Sequence, residues 1–268
     1  MIFKCRDKQI EYGKEPVIMG IINVTPDSFS DGGYYFDSDN AITHAQEMID
    51  NEDVSILDFG AQSTRPGHTP VSADEEIKRL SDVIPAVRNL TDKVISVDTY
   101  YPEVAKRVID WGADIINDVS GIVNSDMAEI VKTSGAGWII MHSKSGSVDE
   151  VREFFDISTA EALALGVKKE QICLDMGIGF NKDRAQDLSL IANIDKYKKE
   201  GYPLLLGTSR KRVIGEYSHQ SDPLKRTYGN ISADAFAILG GVDIIRIHDT
   251  ENEIDGIKMA YALKCARG

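Results

Sequence analysis

Eight short apolar runs punctuate the chain, at Val17 to Ile22, Val54 to Phe59, Val94 to Val97, Asp114 to Ile116, Trp138 to Met141, Ile172 to Asp175, Pro203 to Leu206 and Asp243 to Ile247. Runs this short and this apolar read as strands buried on both faces. The stretches between them carry helical periodicity. It is clearest in Ala73 to Asn89, where Ile77, Leu80, Ile84 and Val87 mark one face, and in Leu188, Ile191, Ile194 and Tyr197. Ser72-x-x-Glu75, Ser147-x-x-Glu150 and Thr250-x-x-Glu253 have the spacing of capping boxes at three helix starts. Eight doubly buried strands alternating with helices predict an α/β chain of the (β/α)8 TIM-barrel type, because crossover helices cover the outer face and closure removes the sheet edges. An open doubly wound sheet would use fewer units and a Gly-x-Gly-x-x-Gly first turn, which is absent after Ile22. No Pro- or Ser-rich linker interrupts the alternation, so residues 1–268 are expected to form a single domain.

The carboxyl ends of barrel strands share one mouth, so the residues just past each run decide the chemistry. In order these are Asn23-Val-Thr-Pro-Asp27, Ser63-Thr-Arg-Pro-Gly67, Asp98-Thr99, Asn117-Asp118, Met141-His142, Asp175 with Met176 and GIGF after it, Gly207-Thr-Ser-Arg-Lys211, and Arg246-Ile-His248. Any one of them could be a turn former or a helix cap. Eight coincident cases point to a site.

The residues also sort by charge. Asp98, Asn117 and Asp175 offer acceptors and an amide suited to a ligand edge rich in N–H groups, as a pterin or purine has. Arg65, Arg246 and His248 are donors suited to phosphate oxygens. The expected ligand therefore has a heterocyclic end and an anionic end. Arg246 and His248 flank Ile247, so in a strand both point to the same side.

Composition removes other function classes. A formal net charge of −13 argues against a nucleic-acid binder, which needs a basic surface to replace counterions. The amino terminus, MIFKCRDKQ, lacks the apolar stretch of a signal peptide, and nowhere do about 18 apolar residues run together, so no membrane partner is expected. Cys5, Cys173 and Cys265 are odd in number and far apart, which suits a reducing compartment and a cytoplasmic location. The five histidines have no zinc-ligand spacing. Ser63, Ser209 and Cys173 sit in no nucleophile elbow. Magnesium brought in by a phosphate needs few protein ligands and stays compatible with the chain.

The motifs MGIINVTPDSFSDGG (19–33), QSTRPG (62–67), SVDT (96–99), NDVSG (117–121), MH (141–142), DMGIGF (175–180), GTSRKR (207–212) and RIHD (246–249) together resemble the dihydropteroate synthases, across essentially the whole chain. The resemblance implies a magnesium-dependent, homodimeric transferase of folate synthesis. Such an enzyme joins 6-hydroxymethyl-7,8-dihydropterin diphosphate to 4-aminobenzoate, by SN1-like loss of diphosphate, to give 7,8-dihydropteroate and pyrophosphate. By resemblance Asp98, Asn117, Asp175 and Lys211 surround the pterin, with Met141 against its plane. Asn23, Arg65, Arg246 and His248 face the diphosphate, with Asn23 nearest the ion. Thr64, Pro66, Phe180 and Lys211 form the aminobenzoate pocket. Asp98, Asp175, Lys211, Arg246 and His248 carry the catalysis, and the Asn23 to Gly33 loop acts as a lid. A pterin-binding methyltransferase of the same barrel class would use Asp98, Asn117 and Asp175 but leave Arg65, Arg246 and His248 without a diphosphate. A pterin-binding protein without catalysis is the other reading.

Three departures from the family pattern stand out. Met176 replaces a proline after Asp175, Gln62 replaces a glutamate before Ser63, and the segment after His142 is short. The first is expected to loosen the placement of Asp175.

Overall fold

A computed structural model describes residues 1–25, 34–62 and 71–267. Among the described residues there are ten strands: β1 (Ile2–Cys5), β2 (Lys8–Glu11), β3 (Val17–Asn23), β4 (Val54–Gly60), β5 (Val94–Asp98), β6 (Ile115–Asp118), β7 (Gly137–Met141), β8 (Ile172–Asp175), β9 (Leu204–Leu206) and β10 (Ile244–Ile247). The last eight form the expected closed parallel barrel, in the order β10-β3-β4-β5-β6-β7-β8-β9. The helices outside it are α1 (Tyr34–Asp50), α2 (Ala73–Leu80), α3 (Val83–Leu90), α4 (Pro102–Asp110), α5 (Ser125–Ser134), α6 (Val148–Ala164), α7 (Arg184–Ala192), α8 (Arg212–Tyr217), α9 (Thr227–Gly240) and α10 (Ile254–Arg267).

Two cores divide along each strand with a period of two. Ile18, Leu57, Phe59, Ile95, Val97, Ile116, Trp138, Ile140, Leu174, Leu206, Ile245 and Ile247 pack outward under the helices. Their neighbours Val17, Met19, Ile56, Val94, Ile115, Ile139, Cys173, Leu205 and Ile244 fill the barrel interior. Each fully buried side chain of this size is worth about 1.5–3 kcal/mol. The antiparallel hairpin β1–β2, which the sequence pattern did not suggest, adds Phe3, Cys5, Ile10 and Tyr12 to the inner cluster. It plugs the amino-terminal end of the barrel and leaves the carboxyl ends to form the mouth.

Three local expectations are corrected. The stripe predicted as one helix over Ala73 to Asn89 is two, α2 and α3. Pro85 has no N–H to give the residue 81 carbonyl, so the chain restarts and accepts Pro85 in the first turn of α3. Leu188 is surface-facing, whereas Leu190 and Ile191 carry the buried face of α7. Ile194 and Tyr197 enter the core from a separate 3-10 turn. Ser72 and Ser147 cap α2 and α6 as predicted, with the reciprocal bond present at Ser147. Thr250 does not cap α10: Glu253 instead turns inward, where its Oε1 accepts from Asn230 Nδ2 at 3.1 Å.

Candidate active site

Inward parity continues past the apolar layer to the mouth. Two residues above Ile56 stands Asp58, above Val94 and Ser96 stands Asp98, and above Ile115 stands Asn117. Asp175 comes two residues after Cys173, and Arg246 two after Ile244. The side chains confirm this. Arg246 donates from Nε to Asp58 Oδ2 at 2.7 Å and places Nη2 2.6 Å from the same oxygen and 3.3 Å from Asp98 Oδ2. Asn117 Nδ2 donates to Asp58 Oδ2 at 3.3 Å. Contacts from β10 to β4 and β5, and from β6 to β4, close only across the barrel lumen.

Asp118, the neighbour of Asn117, points the other way. It accepts from Trp138 Nε1 at 3.2 Å and from the Ser120 N–H at 2.9 Å, so it is a structural residue.

Arg246, expected at the anionic end, also stands beside the acceptors of the heterocyclic end. Its guanidinium lies on the carboxylates. Burial works against its charge, but Asp58 and then Asp98 outweigh burial and hold its pKa above the ordinary value. Burial pushes Asp98 up to about 7, opposed chiefly by Arg246. Burial likewise raises Asp175, opposed by Lys211. Lys211 is pulled down to about 8 by burial, against the attraction of Asp175. The site is thus a set of buried opposite charges, each restrained by the next.

The loop after β8 brings the remaining residues together. Asp175 Oδ1 accepts from the Gly177 N–H at 2.8 Å, and the side chain of the intervening Met176 is fully buried in the outer core. The Lys211 ammonium donates to the Ile178 carbonyl and stands 4.9 Å from the centre of the Phe180 ring. Met141 is buried at the end of β7. His142 is buried beside it, and burial with nearby Lys182 and Lys144 depresses its pKa to about 4, so it is neutral at pH 7. His248 meets Ser209 twice: its backbone N–H donates to Ser209 Oγ at 3.1 Å, and its Nδ1 lies 3.0 Å from that oxygen. Asn23 is exposed at the end of β3.

Thr64, Arg65, Pro66 and the proposed lid residues from Pro26 to Gly33 lie outside the described residues. Gln62 is within them: Oε1 accepts from the Val71 N–H at 2.9 Å and Nε2 donates to Tyr100 Oη at 3.3 Å. The short segment after His142 is held by Ser143 Oγ, which donates to the Ser120 carbonyl at 2.8 Å.

Two site residues escaped the sequence reading. Asp58 sits inside an apolar strand, and its signal was a charge at the inward parity of Ile56. Lys182 is buried and donates to the carbonyls of His142 at 3.0 Å, Gly177 at 2.9 Å and Phe180 at 3.2 Å. It joins the β7 and β8 loops, a partnership that no local pattern encodes.

No group of three or more His, Cys, Asp or Glu side chains able to hold a metal occurs among the described residues. Cys173 is buried in the inner core, and burial and, after it, Asp175 raise its thiol pKa well above the ordinary value, which disfavours the thiolate.

Comparison with known proteins agrees with this geometry. The family described as pterin binding enzyme matches residues 19–248. A dihydropteroate synthase of Synechocystis is 39% identical over 266 residues, spanning 94% of this chain and 92% of that one. The structure of a Clostridium difficile dihydropteroate synthase solved with pteroic acid superposes with a TM-score of 0.89 at 41% identity, covering 95% of this chain and 98% of the other. A Xanthomonas albilineans dihydropteroate synthase with 4-aminobenzoic acid superposes with a TM-score of 0.91 at 33% identity, covering 98% of both chains.

Proposed function

The chain belongs to the pterin-binding enzyme family, and from that premise we infer that it catalyses the dihydropteroate synthase reaction. It is a transferase that condenses 6-hydroxymethyl-7,8-dihydropterin diphosphate with 4-aminobenzoate to give 7,8-dihydropteroate and pyrophosphate in folate biosynthesis. The observation that carries this reading is the lumenal floor on which Asp98, Asn117 and Asp175 share one surface with Arg246 and Lys211. Purified protein given both substrates and magnesium should release pyrophosphate and dihydropteroate in equal amounts. Binding of the pterin diphosphate without either product would reject the synthase assignment.

The chemistry is set by the charges. Breaking the C–O bond to diphosphate develops negative charge on the leaving oxygens and positive charge on the pterin methylene carbon. Arg246 and His248 favour the first, and Asp98 and Asp175 favour the second, each more strongly in the transition state than in the bound substrate. The amine of 4-aminobenzoate then attacks the carbon and loses a proton. No protein nucleophile is needed, in keeping with the protonated Cys173 thiol. Phe180 and Lys211, already in contact, suit the ring and carboxylate of the aminobenzoate. Magnesium would enter as an ion carried by the diphosphate, and the exposed Asn23 amide oxygen would offer it a hard oxygen ligand. When bound it supplies charge neutralisation on the leaving oxygens.

Two shifted groups give the reaction a pH dependence. A carboxylate receiving pterin N–H donors binds in its ionised form, so affinity should fall about tenfold per pH unit below about 7, where Asp98 takes up its proton. Above about 8 the loss of the Lys211 proton should lower kcat/KM again. Measured between pH 5.5 and 9.5, the profile should be a bell whose acid limb disappears in Asp98→Asn. A flat profile across pH 6 to 8 would exclude this role.

A homodimer is the proposed assembly. Ile257 is core, packed beneath the helix, but Tyr228, Phe236 and Leu239 on α9 and Met259 and Leu263 on α10 leave apolar surface exposed on two adjacent helices. Phe236→Asp should sediment as a 29.6 kDa monomer at concentrations where the wild type sediments at twice that mass. Monomeric wild type at every concentration would exclude the dimer. None of the described helices is long and apolar enough to cross a membrane.

A further inference from the structure

We propose that Asp58 is a positioning residue that sets which end of the Asn117 amide reads the heterocycle and where the Arg246 guanidinium stands. The proposal rests on the synthase reading and extends it to a residue below the substrate.

Asp58 is fully buried on β4, and a single oxygen, Oδ2, collects three donors: Arg246 Nε at 2.7 Å, Arg246 Nη2 at 2.6 Å and Asn117 Nδ2 at 3.3 Å. An amide has one donor end and one acceptor end, and side-chain amides are placed by their partners. With Nδ2 committed to Asp58, the Asn117 Oδ1 is the end left over, and it is buried without a hydrogen-bond partner. Asp58 Oδ1 is likewise buried and unpartnered. Unpaired buried acceptors are costly, and both lie on the floor of the proposed site. A ligand edge carrying ring N–H or amino groups supplies the donor missing at Asn117 Oδ1. Asn117 therefore enters recognition as an acceptor, and Asp58 makes it one.

A purely structural ion pair would be a weak reason to keep a carboxylate here, since well-packed apolar residues often replace buried pairs without loss of stability. The carboxylate has instead a directional task. Neutral asparagine at 58 would compete with an amide of its own, and Asn117 could then turn its NH2 toward the ligand, opposing the heterocycle's donors.

The test uses 6-hydroxymethyl-7,8-dihydropterin without its diphosphate, which isolates the heterocycle from the anion site. By calorimetry, Asp58→Asn should raise its Kd about tenfold, the loss of one well-placed hydrogen bond, while the KM for 4-aminobenzoate stays within about twofold. In an Asn117→Ala background the same change at 58 should alter Kd less than about threefold, because the amide it orients is gone. Equal losses in the two backgrounds, or wild-type affinity in Asp58→Asn, overturn the proposal. If Asp58→Asn fails to fold, Asn117→Ala is measured alone: it removes the acceptor that Asp58 is proposed to present, and wild-type affinity for the heterocycle there also overturns the proposal. Turnover of the wild type is assayed in the same preparation: turnover with an unaffected Asp58→Asn sinks this inference alone, whereas a wild type that makes no product sinks the synthase reading with it.

Discussion

Replacing Arg246 with alanine is expected to lower turnover about 10²–10³-fold, the loss seen when one preorganised donor to developing negative charge is removed. The structure adds a second consequence. Arg246 is the cation that Asp58 and Asp98 share, so its removal leaves two carboxylates buried without it. Breaking such a pair by deleting one partner costs about 3–5 kcal/mol. The variant should therefore melt lower as well as react more slowly, and Arg246→Lys should recover stability in part but not the side-on fork to Asp58. Pyrophosphate release by folded protein, alongside a thermal melt, separates the two effects. A folded Arg246→Ala enzyme within tenfold of wild-type turnover would remove Arg246 from leaving-group stabilisation.

Gly177→Ala is the second change with a large expected effect, and it acts through backbone. Gly177 adopts φ +66°, and a Cβ built there would lie 2.0 Å from the His142 carbonyl oxygen. That oxygen is backbone and not the end of a flexible side chain, so the turn after β8 must move. The same turn supplies the N–H that fixes Asp175 Oδ1 and a carbonyl that receives Lys182. A loss on the order of 3 kcal/mol is expected from the strained conformation and the clash. That corresponds to a melting temperature lower by about 6–12 °C in a chain of this size. Pterin affinity should fall with it, since Asp175 loses its anchor. A variant with wild-type melting and wild-type pterin affinity would show that this turn does not hold Asp175.

The barrel was legible in the sequence because eight apolar runs with helical stretches between them admit few closed arrangements, and the observed order β10-β3-β4-β5-β6-β7-β8-β9 is the sequential one. Asp98, Asn117, Asp175, Lys211, Arg246 and His248 were readable because strand ends of a parallel barrel share a mouth. The inward position of Arg246 came from strand parity alone. The hairpin β1–β2 was not readable: its short strands mix polar and apolar residues, and it is stabilised by closing the end of a barrel formed elsewhere in the chain. The break between α2 and α3 is signalled in the sequence by Pro85 alone, because the apolar stripe runs across it without interruption.

By itself the sequence determined the period of two along each strand, and with it which residues face the lumen and which face the helices. That much is local geometry, set by alternation of the backbone. Only the tertiary structure decided what the lumenal residues do to one another. Asp58 and Arg246 are 188 residues apart and Asp98 and Arg246 are 148 apart, yet they meet because closure of the sheet sets β10 beside β3. Whether a carboxylate is a ligand contact, a counterion or a cap depends on distances of a few ångströms across that closed interior, where Coulomb energies are large and water is excluded. Strand parity could put Asp58, Asn117 and Arg246 inside the barrel, but it could not say that one oxygen of Asp58 would hold the other two.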